Sequence, residues 1–220
     1  MKVVISLGGS VLEPKNISFL KNFVFEMTKR SKKNTKVVIY CGGGRIARQY
    51  ISLAEQFKLS PDSLDWIGIS ATCLNAEFLK RVFGHYASDT IIRDPTNTIS
   101  FKKNIVIAAG WKPGRSTDYG ATLAAKNIGA QKIINITNIS HVYTKDPYKF
   151  RDAKKLKKVQ WKEFIKLVGD KWTPGLNMPF DPIASKIAAK NKLKVIIINA
   201  DIKKLRDCLG SKDFDGTLIY

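Results

Sequence analysis

Cysteine and histidine are both scarce in this chain. It has three cysteines, Cys41, Cys73 and Cys208, and two histidines, His85 and His141, among 220 residues. The sequence contains no C-x-x-C pair and no cluster of cysteine with histidine, a pattern that argues against a zinc site. We therefore expect reduced thiols, no metal held by a protein ligand cluster, and no catalysis that depends on histidine.

Long apolar runs are also missing. No stretch approaches the roughly 18 consecutive apolar residues of a membrane-spanning helix. The first residues enter a predicted strand at once, without the charged region, apolar region and cleavage site of a signal peptide. We expect a cytoplasmic protein with no membrane partner.

Acidic residues are few in comparison with basic ones. Thirty-eight Lys and Arg stand against eighteen Asp and Glu, which gives a formal net charge of +20. Such an excess attracts polyanions, so nucleic acid has to be considered as a partner. The basic runs at residues 29–33 and 149–158 carry few aromatic residues and match no nucleic-acid-binding motif. We therefore favour a solvated basic surface, and a basic cleft would help to collect phosphorylated substrates.

Glycine is concentrated where two predicted strands end. The β-branched run at residues 3–5 is followed by Gly8-Gly9-Ser10, and the run at residues 36–41 by Gly42-Gly43-Gly44. Glycine has no Cβ, so backbone N–H groups in such turns can approach a phosphate closely. Ligands of open α/β sheets bind at the carboxyl ends of the strands. Two such turns therefore predict a site for two phosphorylated groups.

Strand and helix patterns alternate along the whole chain. Apolar residues recur at helical spacing in residues 17–33, 45–57 and 64–83, and further helices are predicted at 119–127, 161–168, 182–190 and 202–209. Strands are predicted at residues 36–41, 104–109, 132–137, 195–199 and 217–220, with a weaker one at 90–93. We interpret residues 149–158 as a charged excursion and residues 169–180 as a loop. The alternation predicts a three-layer α/β/α sandwich around a mainly parallel sheet.

Six motifs follow one another in a fixed order. They are Leu7-Gly8-Gly9-Ser10, Gly42-Gly43-Gly44-Arg45 with Arg48, Asp65 with Gly68-Ile69, Pro113-Gly114 with Thr117-Asp118, Thr137-Asn138 with Val142-Tyr143 and Asp146-Pro147, and Asp181-Pro182 with Lys186. This series resembles the amino acid kinase superfamily and, within it, the archaeal type of uridylate (UMP) kinase. The resemblance covers essentially the whole chain.

The resemblance implies phosphoryl transfer from ATP to UMP, which gives ADP and UDP in pyrimidine nucleotide biosynthesis. It also implies a homo-oligomer, usually a hexamer. A single domain, residues 1–220, would have an acceptor half at about residues 1–130 and an ATP half at about 131–220.

For ATP, the resemblance implies two groups of binding residues. Backbone donors of Gly8, Gly9, Ser10 and Gly44 would face the phosphates, and Arg48 would reach a phosphate from one helical turn further on. The adenosine pocket would be lined by Thr137, Tyr143 and Asp146.

For UMP, the resemblance implies contacts from two segments. Gly43 would lie beside the nucleotide, and Asp65 would accept hydrogen bonds from the ribose hydroxyls. An acceptor loop would surround the base and phosphate; its residues are Trp111, Lys112, Pro113, Gly114, Arg115, Ser116 and Thr117.

Two residues are catalytic candidates. Lys186, on a helix opened by Asp181-Pro182, would stabilise charge on the transferring phosphoryl group. Asp118 has two compatible interpretations: it caps the helix that follows the acceptor loop, or it orients the catalytic cations as in the superfamily. Mg²⁺ would accompany ATP, held mainly by phosphate oxygens and water.

The chain departs from the family pattern at three places. Ser6 stands where many members have a catalytic lysine. Either Lys186 and Mg²⁺ suffice without that charge, or another cation replaces it, for which Lys112 and Arg115 are candidates. Ser140-His141 replaces the usual Asp-Gly of the adenosine loop, and Cys73 stands where related archaeal sequences often have Arg. Two alternatives therefore stay open: a superfamily kinase for another small phosphate or acid, or a non-catalytic nucleotide-binding relative.

Overall fold

The computed structural model describes residues 1–147, 149–169 and 178–220 of the chain. Within these ranges the α-helices are α1 (Ile17–Ser31), α2 (Gly44–Glu55), α3 (Pro61–Phe83), α4 (Thr117–Ile128), α5 (Trp161–Val168), α6 (Pro182–Lys190) and α7 (Ile202–Leu209). The strands are β1 (Lys2–Leu7), β2 (Lys36–Cys41), β3 (Ile105–Ala108), β4 (Lys132–Thr137), β5 (Val142–Tyr143), β6 (Lys155–Leu156), β7 (Lys158–Val159), β8 (Lys194–Asn199) and β9 (Thr217–Ile219).

A mainly parallel sheet forms the middle layer, as the alternation predicts. Its strand order across the described residues is β3-β2-β1-β4-β8-β9-β7. Five neighbouring strands of this sheet are parallel to one another: β3, β2, β1, β4 and β8. β9 pairs antiparallel with β8, and β7 pairs parallel with β9. The carboxyl ends of β1, β2 and β4 therefore lie side by side at one edge of the sheet.

Helices cover both faces of the sheet. Side chains alternate across a strand, so Val3, Ile5 and Leu7 of β1 pack into one core with residues of α1, α3 and α7. Val4 packs into a second core with residues of α4, α5 and α6. Because both faces are buried, the central strands are continuous apolar runs. The predicted three-layer sandwich is confirmed.

Most predicted elements are present with shifted ends. α3 begins at Pro61 rather than at residue 64 because the Ser60 hydroxyl accepts a hydrogen bond from the Ser63 N–H at 3.2 Å and caps the helix. The predicted strand at residues 90–93 is wrong: only Ile92 bridges to Ala108, because the Asp94 turn, closed by a 2.9 Å hydrogen bond from the Thr96 N–H, ends the pairing.

The region predicted as a charged excursion contains short strands. β6 pairs with β5 in a hairpin, and β7 joins the edge of the main sheet. Of the predicted loop at residues 169–180, residues 170–177 lie outside the described residues. Among the residues that are described, no helix has the length and apolar character needed to cross a membrane.

Candidate active site

The two glycine turns meet at the carboxyl edge of the sheet. The Gly8 N–H donates to the Ile136 carbonyl at 2.8 Å, and the Gly42 N–H donates to the Leu7 carbonyl at 2.9 Å. A Cβ on Gly9 would lie only 2.5 Å from the Gly42 carbonyl oxygen, and Gly44 has a φ of +65°. Glycine is therefore required for the contact between the turns and for the left-handed backbone at Gly44.

A cavity of about 530 Å³ opens beside these turns. Many of the residues predicted to bind nucleotide line it: Gly8, Gly9, Ser10, Gly43, Gly44, Arg48, Asp65, Arg115, Ser116, Thr117, Asp118 and Thr137. The cavity thus combines two sets of backbone N–H groups with guanidinium, hydroxyl and carboxyl side chains. Such a set can hold phosphate groups and a sugar.

Asp118 connects the first strand to the start of α6. Its Oδ1 accepts a hydrogen bond from the buried Ser6 hydroxyl at 2.7 Å, and its Oδ2 accepts one from the Asp181 N–H at 3.3 Å. Burial, together with the nearby charge of Asp181, raises the pKa of Asp118 to about 7, although the hydrogen bonds oppose this shift. A carboxyl with this pKa changes its protonation near neutral pH.

The capping interpretation of Asp118 is not what the structure shows. Ser116 is the N-cap of α4, and its hydroxyl accepts a hydrogen bond from the Tyr119 N–H at 3.1 Å. Asp118 lies in the first turn, where its carboxyl bonds to Ser6 and Asp181 instead of to its own helix. The other interpretation, in which Asp118 orients the catalytic cations, stays a prediction, since the hydrogen-bond partners of its carboxyl among the described residues are Ser6 and Asp181.

Asp65 holds the acceptor loop against α3. Its Oδ2 accepts a hydrogen bond from the Gly114 N–H at 2.7 Å, and burial is the main cause that raises the pKa of Asp65. The carboxyl also lines the cavity, so it borders the site that the resemblance assigns to UMP.

The acceptor loop is only partly turned toward the cavity. Arg115 is the loop cation at the cavity; its guanidinium donates to the Gly114 carbonyl at 2.7 Å and lies 4.9 Å from the centre of the Tyr119 ring. The buried Nε of Arg115 has no hydrogen-bond partner among the described residues. Trp111, Lys112 and Pro113 do not line the cavity, and the Lys112 ammonium lies 4.0 Å from the centre of the Trp111 ring.

Lys186 lies near the start of α6. Asp181 caps this helix, accepting a 2.6 Å hydrogen bond from the Ala184 N–H, and Pro182 is its first residue, as predicted. Lys186 follows in the second turn with an exposed side chain and is not among the residues that line the cavity. The structure thus brings the start of its helix, but not its ammonium group, to the Asp118 carboxyl.

A second cavity of about 350 Å³ is lined by the predicted adenosine residues Thr137, Tyr143 and Asp146. It shares Thr137 and Asn138 with the first cavity, so the two are contiguous. In the adenosine loop, where Ser140-His141 replaces the usual Asp-Gly, the His141 side chain contacts Asp215. The buried His141 ring lies 3.2 Å from the Asp215 carboxylate.

The carboxyl of Asp215 also pairs with Lys204 at 2.6 Å. Burial is the main cause that lowers the pKa of His141, with the Asp215 charge opposing it. His141 is therefore a structural support of the loop at neutral pH, rather than a charged group that faces nucleotide.

Three polar residues that the sequence analysis missed position the site. The Thr72 hydroxyl accepts a hydrogen bond from the Gly110 N–H at 2.8 Å, and the Asn75 amide donates to the Gly42 carbonyl at 2.7 Å. Asn135 lines the first cavity and donates to the Pro179 carbonyl at 2.9 Å. Buried polar residues on apolar faces were the available signal, because such groups need partners.

Comparisons with known proteins match this arrangement. The model of the amino acid kinase family matches residues 1–199. Uridylate kinase from Pyrococcus abyssi is 34% identical over 226 residues, covering 100% of this chain and 99% of that protein. Uridylate kinase from Methanococcus aeolicus is 35% identical, with the same coverage. The crystal structure of uridylate kinase from Archaeoglobus fulgidus superposes with a TM-score of 0.85 at 31% identity, and each chain is fully covered.

Proposed function

The chain belongs to the amino acid kinase family, and we propose that it is a UMP kinase, which transfers the γ-phosphoryl group of ATP to UMP and releases ADP and UDP. The observation that carries this function is the full-length similarity to uridylate kinases. The meeting of two glycine turns and the acceptor loop at one cavity supports it.

ATP is assigned to the side of the cavity formed by the first glycine turn and β4. Backbone donors of Gly9, Ser10 and Gly44 face the phosphates, together with the Arg48 guanidinium. The Gly8 N–H is already bonded to the Ile136 carbonyl, so Gly8 shapes the turn instead of donating to ATP. The base and ribose enter the contiguous second cavity beside Thr137, Tyr143 and Asp146. This assignment places the γ-phosphoryl group at the junction of the glycine turns.

UMP is assigned to the side formed by α3 and the acceptor loop. Gly43, Arg115, Ser116 and Thr117 supply donors for its phosphate, and Asp65 supplies an acceptor for the ribose. The Nε of Arg115 has no partner among residues 1–147, 149–169 and 178–220, which supports this assignment, since a buried donor needs an acceptor. The outer part of the loop, Trp111, Lys112, Pro113 and Gly114, would close over the base.

Phosphoryl transfer depends on positioning and charge stabilisation more than on covalent chemistry. We assign the positioning of the site to Asp118, which links Ser6 with the start of α6. Lys186 is assigned to the developing charge on the transferred group. From its exposed position it would have to turn toward the junction. Arg115 already borders the cavity and is the alternative source of that charge.

Mg²⁺ is the cation that ATP would carry into the site. The carboxylates at the first cavity are Asp65, bonded to Gly114, and Asp118, bonded to Ser6 and Asp181. Among the described residues no three His, Cys, Asp or Glu side chains are grouped to hold a metal ion. This donor set fits a cation held mainly by phosphate oxygens and water with at most one carboxylate, as is common for Mg²⁺. When bound, the ion would neutralise phosphate charge.

A homo-oligomer, with a hexamer as the specific proposal, is supported by one exposed apolar surface. Large apolar side chains of α2, α3 and the connection between them are exposed: Tyr50, Leu53, Phe57, Leu59, Trp66, Leu74, Phe78 and Val82. Exposed apolar side chains grouped on two helices that pack together commonly mark a protein interface. Light scattering after gel filtration should give six times the mass of one chain, and a monomer would contradict the proposal. We also propose that the protein is cytoplasmic and that it acts in pyrimidine biosynthesis.

The activity is tested by supplying ATP and Mg²⁺ with UMP, CMP, dUMP or AMP in turn and separating the nucleotides by chromatography. UMP should be converted to UDP with equal formation of ADP. If no UDP forms at any concentration of UMP, the proposed function is refuted. Turnover of a small acid or another phosphate instead would identify a different kinase of the family.

Lys186 is tested with a matched pair of variants on the same helix. Lys186→Ala should lower kcat about 10²-fold, the usual cost of losing one group that stabilises transition-state charge. Lys190→Ala removes a second exposed lysine one turn further along α6 and should change kcat less than about twofold. Equal activity of both variants would indicate that Arg115, rather than Lys186, stabilises the charge on the transferred phosphoryl group.

A further inference from the structure

The edge of the sheet opposite the candidate active site carries a row of lysines. Lys2, Lys36, Lys132 and Lys194 are the first residues of β1, β2, β4 and β8, which are consecutive in the sheet. Neighbouring strands are about 4.8 Å apart, so the row extends over roughly 15 Å. We call this surface, together with the groove beside it, the basic edge.

The row presents charge on both sides of the sheet. Lys2 pairs in register with Lys36, and Lys132 pairs with Lys194. The Lys36 ammonium lies 5.3 Å from the centre of the Phe101 ring, on one side. The Lys132 ammonium donates to the Cys208 carbonyl at 2.6 Å, on the side of α7. The positive surface therefore wraps around the amino ends of the strands.

A groove of about 1130 Å³ runs along this edge, next to the ends of α4, α6 and α7. Six lysines line it, and no Asp or Glu is among its described lining residues: Lys2, Lys126, Lys132, Lys192, Lys194 and Lys212. The candidate active-site cavity differs, because Arg48 and Arg115 are balanced there by Asp65 and Asp118. The described lining of the groove thus carries basic side chains without acidic ones, unlike that of the candidate active-site cavity.

In the part of the chain that the structure describes, no carboxylate pairs directly with these six lysines: none of the ion pairs with a nitrogen to oxygen distance within 4 Å includes any of them. Burial lowers the pKa of Lys132, and the charges of Arg30 and Lys194 lower it further. Like charges at this spacing repel one another, so a bound polyanion would relieve the repulsion and displace condensed counterions.

We propose that the basic edge binds single-stranded nucleic acid through its phosphate backbone, separately from the nucleotide site. The length of the row and the number of lysines suit several consecutive phosphates rather than one free phosphate group. Phe214 in the groove and Phe101 in the adjoining cavity are partly exposed, but both pack against the hydrophobic cores. The proposal therefore rests on contacts with the phosphate backbone rather than on base stacking.

Other occupants fit this surface less well. A second copy placed symmetrically on it would bring two sets of lysines together. A membrane surface requires apolar side chains that insert between lipids, and Met1 is the one strongly exposed large apolar residue among the described residues of the groove. A concave, lysine-lined groove matches an extended anionic chain better than a flat surface.

The proposal is tested by fluorescence anisotropy with a labelled 20-nucleotide RNA of mixed sequence at several salt concentrations. The edge variant combines Lys2→Gln, Lys126→Gln and Lys194→Gln, three exposed positions of the groove. It should weaken binding about tenfold or more at about 0.1 M salt. It should also reduce the slope of log Kd against log salt by about 2, as expected from about 0.7 for each of three lost phosphate contacts.

The matched control variant carries Lys21→Gln, Lys162→Gln and Lys166→Gln. These lysines are exposed, lie outside the groove and remove the same net charge, so the control should change affinity less than about twofold. Saturating ATP and UMP should leave RNA binding unchanged, and UMP turnover of the edge variant should equal that of the unmodified chain.

Four results would overturn the proposal. They are equal weakening by both variants, displacement of RNA by ATP and UMP, absence of RNA binding at low salt, and tighter binding to vesicles of anionic phospholipid than to RNA.

Discussion

The pKa of Asp118 gives the sharpest quantitative test of the site. Burial beside Asp181 raises the pKa of Asp118 to about 7 in the folded chain, against about 3.9 in an unfolded chain. The folded state therefore binds more protons between these two values. Linkage then requires the free energy of unfolding to fall as pH rises through this interval, and the loss is complete above pH about 7.

The magnitude follows from the interval that the experiment covers. Between pH 5 and pH 8, about two pH units lie below the folded pKa, and about 1.36 kcal/mol for each unit gives about 2.7 kcal/mol. Asp118 borders an open cavity, and water in the cavity screens the carboxylate. Screening of this kind reduces the effect to roughly half, about 1.3 kcal/mol.

Asp118→Asn removes the titrating group while its Oδ1 can still accept the hydrogen bond from Ser6. Urea unfolding followed by circular dichroism, at intervals between pH 5 and pH 8, gives the free energy of unfolding of both chains. The difference between them cancels the other titrating groups. The variant should gain about 1.3 kcal/mol relative to the unmodified chain over this range, while its UMP turnover should fall about 10²-fold.

The exposed residue Asp213 supplies a control, since Asp213→Asn removes one negative charge outside the cavity. Its difference from the unmodified chain should vary with pH by less than about 0.5 kcal/mol. A free-energy difference for Asp118→Asn that stays constant with pH would refute the raised pKa. A difference of opposite slope would show that the folded chain favours the ionised carboxylate.

Two further substitutions test the packing around the site, both by urea unfolding. Gly9→Ala should cost about 3 kcal/mol or more and abolish turnover, because its Cβ would collide with the backbone of the second glycine turn. Gly129→Ala meets only the strain of its φ of +69°, about 1 kcal/mol. Thr217→Val should cost about 1–3 kcal/mol because the buried N–H of Val142 and the Leu156 carbonyl lose their partner hydroxyl. Thr217→Ser, which keeps the hydroxyl, should cost less; equal losses would contradict the hydrogen-bond account.

The parts of the fold that depend on local pattern were predictable from sequence. Strands β2 and β4 have the predicted bounds, because a continuous β-branched run bounded by turn residues leaves few alternatives. Helix α6 starts as predicted, because Asp at the N-cap followed by Pro is a local stereochemical signal. The hairpin of β5 and β6 was missed, since strands of two residues in a charged stretch are too short to show alternation.

The site could be predicted as a set of turns but not as a set of contacts. Sequence left two roles open for Asp118, capping α4 or orienting the catalytic cations, whereas in the structure Ser116 is the N-cap. That choice depends on Ser6 and Asp181, which are 112 and 63 residues away in the chain and hydrogen-bond to Asp118. The exposure of Lys186 and the bond between Asp65 and Gly114 are likewise tertiary facts that no local pattern contains.

The serine at position 6 is explained by the residue to which it donates a hydrogen bond, Asp118. A lysine there would place a positive charge beside Asp118 and hold its carboxyl ionised. Ser6 offers only a neutral donor to Asp118, and the carboxyl of Asp118 keeps a pKa of about 7. The site therefore lacks the positive charge of a lysine, and Asp118 is only partly ionised at neutral pH. Among the described lining residues the cavity then has guanidinium groups, Arg48 and Arg115, and no lysine. Phosphate binding at the first cavity should therefore depend on these two arginines, whose fixed donor geometry suits phosphate oxygens.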